Sequence, residues 1–173
     1  TGATFSGNAA TGNGGAIQQV AGSLTVTGST FSSNAAGSHG GAIQQVAGSL
    51  TVTASTFTGN SAFRGGAISE AGGTLLIERS TIDHNTASSG SQQPLGGGLH
   101  LGPGAGGGSV WLSTFSHNSA TGPYNAGGGI YSEAPLTVRN STVADNTAFF
   151  GAGLASYTSS TVVGGSILAN TAN

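Results

Sequence analysis

Three side chains able to bind metal recur at one place in this sequence. His84, His117 and Asp145 each stand immediately before the asparagine of a repeated phrase, F-x-x-N-x-A or a close relative, in three successive repeats. If the repeats stack like paired strands, neighbours in this column lie about 5 Å apart, and imidazole nitrogens with a carboxylate are a donor set for a divalent ion. Other repeats place Gly7, Ser33 and Gly59 there, which favours a solvated column of turn residues. No metal and no other cofactor is expected.

The carboxylates offer a second chemistry. The chain has only five, Glu70, Glu78, Asp83, Glu133 and Asp145. Glu70 follows Ile68 by two residues and Glu133 follows Ile130 by three, with His100 just after Leu99 in the repeat between them. Stacked repeats would put the two Glu roughly 9.6 Å apart, the upper edge of the separation used by inverting glycosidases. The unequal offsets and the lack of a third acid or a Lys nearby favour isolated surface acids, and no catalytic residue is assigned. Trp111, Tyr124, Tyr131 and Tyr157 sit in or after the longest repeat and offer an aromatic platform for sugar rings or a protein partner. The Gly-Pro-Gly-Ala-Gly-Gly-Gly run from Gly102 lacks the Lys and the helix that make a phosphate loop.

A third pattern is a file of hydroxyls. The residue before each core Phe, Ile or Val is Thr4, Thr30, Thr56, Thr81, Thr114, Thr142 and then Ser166, and two residues on lie Ser6, Ser32, Thr58, Asp83 and Ser116. Strand alternation directs both files outward. The resulting lattice resembles the ice-contacting face of β-helical antifreeze proteins, although Thr is also an ordinary exposed β residue. Asp83, Ala144 and Leu168 interrupt the second file.

These patterns need an element that repeats. The F-x-x-N-x-A phrase begins at Phe5, Phe31, Phe57, Ile82, Phe115, Val143 and Ile167, at intervals of 26, 26, 25, 33, 28 and 24 residues. Its asparagines, Asn8, Asn34, Asn60, Asn85, Asn118, Asn146 and Asn170, should form an amide ladder along the stacking axis. A G-G-A-I relative follows each of the first six phrases, and a short Leu-Thr-Val relative follows that. Gly14 to Thr27 is repeated letter for letter at Gly40 to Thr53, which superposes even outward residues such as Gln18 and Gln44. Helical spacing is nowhere sustained. Three short strands in a coil of 24–33 residues define an all-β solenoid of about six coils, a single domain over 1–173 with an enlarged coil at 82–114. Ser88 to Pro94 and Gly102 to Ser109 read as loops of that coil.

Composition narrows the partners. The net charge is -2, with three Arg and no Lys, so no basic stripe exists to hold nucleic acid or an anionic membrane. There is no Cys and no apolar run long enough to insert in a membrane. Both termini fall inside a repeat, so the chain reads as a segment of something longer.

Seven F-x-x-N phrases in register, six of them followed by G-G-A-I relatives, resemble the repeats of chlamydial polymorphic membrane proteins and, more widely, right-handed parallel β-helices of the pectate lyase type. That resemblance covers nearly the whole chain. It implies a right-handed β-helix and a secreted or cell-surface passenger, often adhesive, at a bacterial outer surface. No catalytic motif comes with it. The expectation is a non-catalytic structural or adhesive scaffold with host or neighbour-cell surfaces or glycans as partners. Poor charge and open terminal sheet edges add self-association into filaments. A polysaccharide-binding or polysaccharide-degrading β-helix is the alternative, and ice binding the second.

Overall fold

One such coil has too few inward apolar side chains to offset the entropy of ordering it, so the repeats must stack. The computed structural model describes residues 1–157 and 160–172. They form about six coils, all β and without helix, in which the strands of one coil pair in parallel with their counterparts in the next. The Phe phrase makes the first ladder: Thr4–Ser6, Thr30–Ser32, Thr56–Thr58, Thr81–Asp83, Thr114–Ser116 and the start of Thr142–Ala148. A second, shorter ladder follows at Ala9–Ala10, Ala35–Ala36, Ser61–Ala62, Thr86–Ser88 and Ser119–Thr121. The G-G-A-I phrase gives the third (Ile17–Gln19, Ile43–Gln45, Ile130–Ser132, Leu154–Ser156), and the Leu-Thr-Val phrase the fourth (Ser23–Thr27, Ser49–Thr53, Leu136–Arg139, Thr161–Gly164). In two coils the third and fourth fuse, as Ile68–Glu78 and Leu99–Trp111.

The coil thus carries four ladders where three were expected. The extra division comes from a left-handed bend just before the ladder asparagine, where Gly7, Ser33, Gly59, His84 and His117 take φ of 52° to 65°. A residue in that conformation breaks the ladder: in five coils it divides two strands, and at Asp145 it shifts the register within Thr142–Ala148 between Ala144 and Thr147.

Inward residues stack by type. Phe5, Phe31 and Phe57 lie ring over ring at 4.6 Å, continued by Ile82, Phe115 and Val143. Ile43, Ile68, Leu99 and Ile130 form a second buried file and Val52, Ile77, Val110 and Val138 a third. Two glycines per coil make the G-G-A-I corner possible. Gly40 sits at φ +67°, and a Cβ on Gly41 would stand 2.0 Å from the Gly66 carbonyl oxygen of the next coil.

Polar ladders tie the coils together inside the bends. Asn60 is fully buried: its backbone N–H and its Nδ2 both donate to Asn85 Oδ1 at 2.9 Å, and Nδ2 also donates to the Phe31 carbonyl at 3.0 Å. The same side-chain bond links Asn8 to Asn34, Asn34 to Asn60, Asn85 to Asn118, Asn118 to Asn146 and Asn146 to Asn170. A second ladder runs through Ser29, Ser55, Ser80, Ser113, Ser141 and Ser166. Each hydroxyl donates to a carbonyl two residues back, and from Ser55 onward each accepts the backbone N–H of the preceding serine. Its sequence signal is the Ser before the Thr of the Phe phrase, from Thr30 to Thr142; in the first coil Ala3 precedes Thr4.

Two expectations are corrected. Gly102 to Ser109 is strand, not loop, and pairs with Gly72 to Leu76 across register shifts. Glycine allows this close approach, since a Cβ on Gly104 would meet the Ala71 carbonyl oxygen at 2.6 Å. In the last coil Ile167 stands over Thr142, and Leu168 over Val143. Ile167 therefore fills the Thr column, and Ser166 belongs to the serine ladder. Only one residue separates Leu168 from Asn170, so the bend residue present as Asp145 in the coil before has no counterpart there.

Candidate functional site

Alternation puts the middle residue of the third ladder, the column Gln18, Gln44, Ser69, His100, Tyr131, Ala155, on the outer side of the sheet. A second layer covers it. His39, Arg64, Leu95, Ala126 and Phe150, from the segments that lead into the G-G-A-I corner, are bridged coil to coil, and Leu95 and Ala126 pack on Tyr131. Gln44, Ser69, His100 and Tyr131 are therefore buried, against the expectation that Gln44 faces solvent.

The cover opens toward the last coils into a groove of about 340 Å³, walled by Tyr131, Phe150 and Tyr157, with Gln93 and Ser156 at its margin. The Tyr131 ring stacks on His100 at 5.8 Å, which fixes its plane, and meets Tyr157 at 6.2 Å. Burial, then Glu133 and Tyr157, push the Tyr131 hydroxyl up to about 12, so it remains a hydrogen-bond donor. Tyr157 is 81% exposed, so its ring is open to an occupant.

The expected aromatic platform is divided by this geometry. Tyr131 lines the groove. Trp111 lies on the fourth ladder between Glu78 and Arg139, in a different segment of the coil. Tyr124 sits at an exposed turn with φ 52°, and Gln93 Nε2 donates to its carbonyl at 2.8 Å. Phe150, Gln93 and Ser156 were missed because neither their type nor a repeat position marks them.

Under the groove lies a polar file, buried at Ser69 and His100 and reaching the surface at Glu133. Ser69 Oγ is 3.3 Å from His100 Nδ1, and His100 Nε2 is 3.5 Å from Glu133 Oε2. Burial holds the His100 imidazole below its ordinary range and hence neutral, while Glu133 is lowered first by its contact with His100. Serine, imidazole and carboxylate in series are the parts of an acyl-transfer site. Yet Ser69 is 1% exposed, leaving a substrate no path to the hydroxyl. Glu70 does not share a face with Glu133: it points inward over Gln45 and is fully buried, so the reading of both as surface acids fails for Glu70. Burial pushes its carboxyl up to about 8.

The bend column brings the metal-type residues together. The His84 and His117 rings stack at 4.7 Å and 10°. Asp83 holds both: its Oδ2 is 2.5 Å from His84 Nδ1, and its Oδ1 is 3.1 Å from His117 Nδ1 and accepts the Ser116 hydroxyl at 2.8 Å. Asp145 Oδ2 stands 4.0 Å from His117 Nε2. Partial burial raises the Asp83 carboxyl, but the hydrogen bonds from His84, Ser116 and His117 outweigh it and leave it below the usual range. In the sequence Asp83 figures as one of five carboxylates and as an interruption of the outer hydroxyl file, and neither pattern joins it to the histidines. The threonines Thr4, Thr30, Thr56, Thr81, Thr114 and Thr142 stand in register as one column, beside a second column containing Asp83 and Ala144.

Fold and ladders define a repeat solenoid of stacked parallel strands. The chain belongs to the right-handed β-helix family, whose right handed beta helix region matches residues 1–173. No curated protein and no solved structure gives a significant match. Regions of this family occur in enzymes and in non-enzymes, so membership identifies the scaffold and leaves the activity to the site.

Proposed function

We propose that this β-helix is a non-catalytic, extracellular or cell-surface scaffold that binds carbohydrate in the groove at its last coils. The observation that carries the reading is two exposed aromatic rings, Phe150 and Tyr157, at a cavity of about 340 Å³ whose floor is the buried Tyr131, with the Gln93 amide and the Ser156 hydroxyl beside them. Sugar rings present C–H faces to aromatics and hydroxyls to amides, and a site of this size holds one or two such rings. The burial of Ser69 and His100, which shuts the only hydroxyl of the file away from a substrate, supports binding over turnover. Ice contact by the threonine column is less favoured, because its neighbouring column is broken by a carboxylate and a methyl group. An array of bacterial, plant and animal glycans tests the reading. Tyr157→Ala should weaken the bound glycan by about tenfold without lowering the melting temperature, since the side chain is exposed, and Trp111→Ala should leave affinity unchanged. Absence of any glycan ligand, or loss of binding on Trp111→Ala alone, would overturn it.

A further inference from the structure

We propose that Asp83, His84 and His117, with Asp145 at the margin, form a binding site for a zinc-like divalent cation that clamps two successive coils together. The site is separate from the groove and independent of the carbohydrate reading. Asp83, His84 and His117 each offer a ligand atom, and these atoms lie within 4.8 Å of one another. A tetrahedral ion with bonds of ~2.1 Å sets its ligand atoms about 3.4 Å apart. The two imidazoles are more than half exposed. Rotation of their side chains therefore closes the set on an ion without moving the backbone.

Two further observations point the same way. The chain has only four His and five carboxylates, yet two of the former and two of the latter gather in this cluster. No arginine is ion-paired to them among the described residues. The backbone also takes a cost to place them: His84, His117 and Asp145 occupy the left-handed bend at φ 54°, 52° and 56°, where two other coils use glycine. In the hydrogen-bonded arrangement both Nδ1 atoms converge on the one Asp83 carboxylate, so with each imidazole proton moved to Nε2 a rotation of the rings turns the three donors onto one ion. Two neutral imidazoles and a carboxylate leave one tetrahedral position for water or Asp145, and imidazole donors select a zinc-like ion over calcium or magnesium.

Because His84 and His117 belong to consecutive coils, the ion would hold together the enlarged coil that lies between them. The test is titration of the full chain with Zn²⁺ by calorimetry and with Co²⁺ by visible absorption. The variants are His84→Gly and His117→Gly, which restore the residue that Gly7 and Gly59 supply and so preserve the bend. We expect one equivalent of Zn²⁺, a tetrahedral Co²⁺ spectrum, and a zinc-dependent rise in melting temperature. In either variant affinity should fall by at least about tenfold and the thermal shift should vanish, with the fold intact by circular dichroism. No binding of either ion would overturn the proposal. So would binding that survives both substitutions.

Discussion

Glu70 is the residue whose environment conflicts most with its chemistry. It is fully buried, no donor meets either carboxyl oxygen at good hydrogen-bond geometry among the described residues, the Gly72 backbone N–H being the one group that counters the burial, and Gln45 Oε1, on the residue below, is unpaired. Its carboxyl is raised from the ordinary 4.5 to about 8 by burial, so the folded chain keeps the proton in a range where the unfolded chain loses it. Stability from this group is therefore fully present below about pH 4.5 and falls as pH rises toward 8, by an amount on the order of a few kcal/mol. Glu70→Gln should remove that slope and raise stability at pH 8, because an amide needs no ionisation and can donate to Gln45. Urea unfolding of both proteins at pH 5 and pH 8 measures this. A wild-type midpoint that does not fall between those pH values would refute it.

At the scale of elements, the second glycine of G-G-A-I decides whether coils can stack. A Cβ on Gly41 would lie 2.0 Å from the Gly66 oxygen and 2.6 Å from the Ser61 nitrogen, both backbone atoms that cannot swing aside. Gly41→Ala should lower stability by more than about 3 kcal/mol or abolish folding, the upper end of single-site effects. Gly12→Ala, with open space at its Cβ, should change it by less than about 0.5 kcal/mol. Melting curves by circular dichroism distinguish them, and equal effects would mean that the corner is not the constraint. The phenylalanine and asparagine columns were legible in the sequence because identical letters at coil spacing superpose whatever the coil shape. The covered face was not: alternation assigns Gln44 and His100 to the outer side but carries no information about the bridged column from His39 to Phe150 that lies over them. The role of Asp83 is hidden for a related reason: alternation treats each outward file separately, while the left-handed bend swings His84 back beside the preceding residue, so chemistry forms between two files.

For the molecule as a whole, stability is distributed along one axis, each coil supported only by its neighbours. Burial follows that logic: Phe31, Phe57 and Phe115 are fully buried, whereas Ile167 is 64% exposed and Phe5 and Leu24 are only partly covered. Opening should therefore proceed inward from the outermost coils. Amide hydrogen exchange should be slowest in Ile43–Gln45, Ile68–Glu78, Leu99–Trp111 and Ile130–Ser132, and fastest in Thr4–Ser6, Ser23–Thr27, Leu154–Ser156 and Thr161–Gly164. The outermost strands also present unpaired backbone groups to any second copy of the chain. If such edges meet, protection of the outer strands should rise with protein concentration while that of the central strands stays fixed. Exchange measured by mass spectrometry at two concentrations separates the cases. A gradient that is steep and independent of concentration describes a monomer that frays at both ends. A uniform profile would mean that the ladders couple the coils into one cooperative unit, contrary to nearest-neighbour stacking.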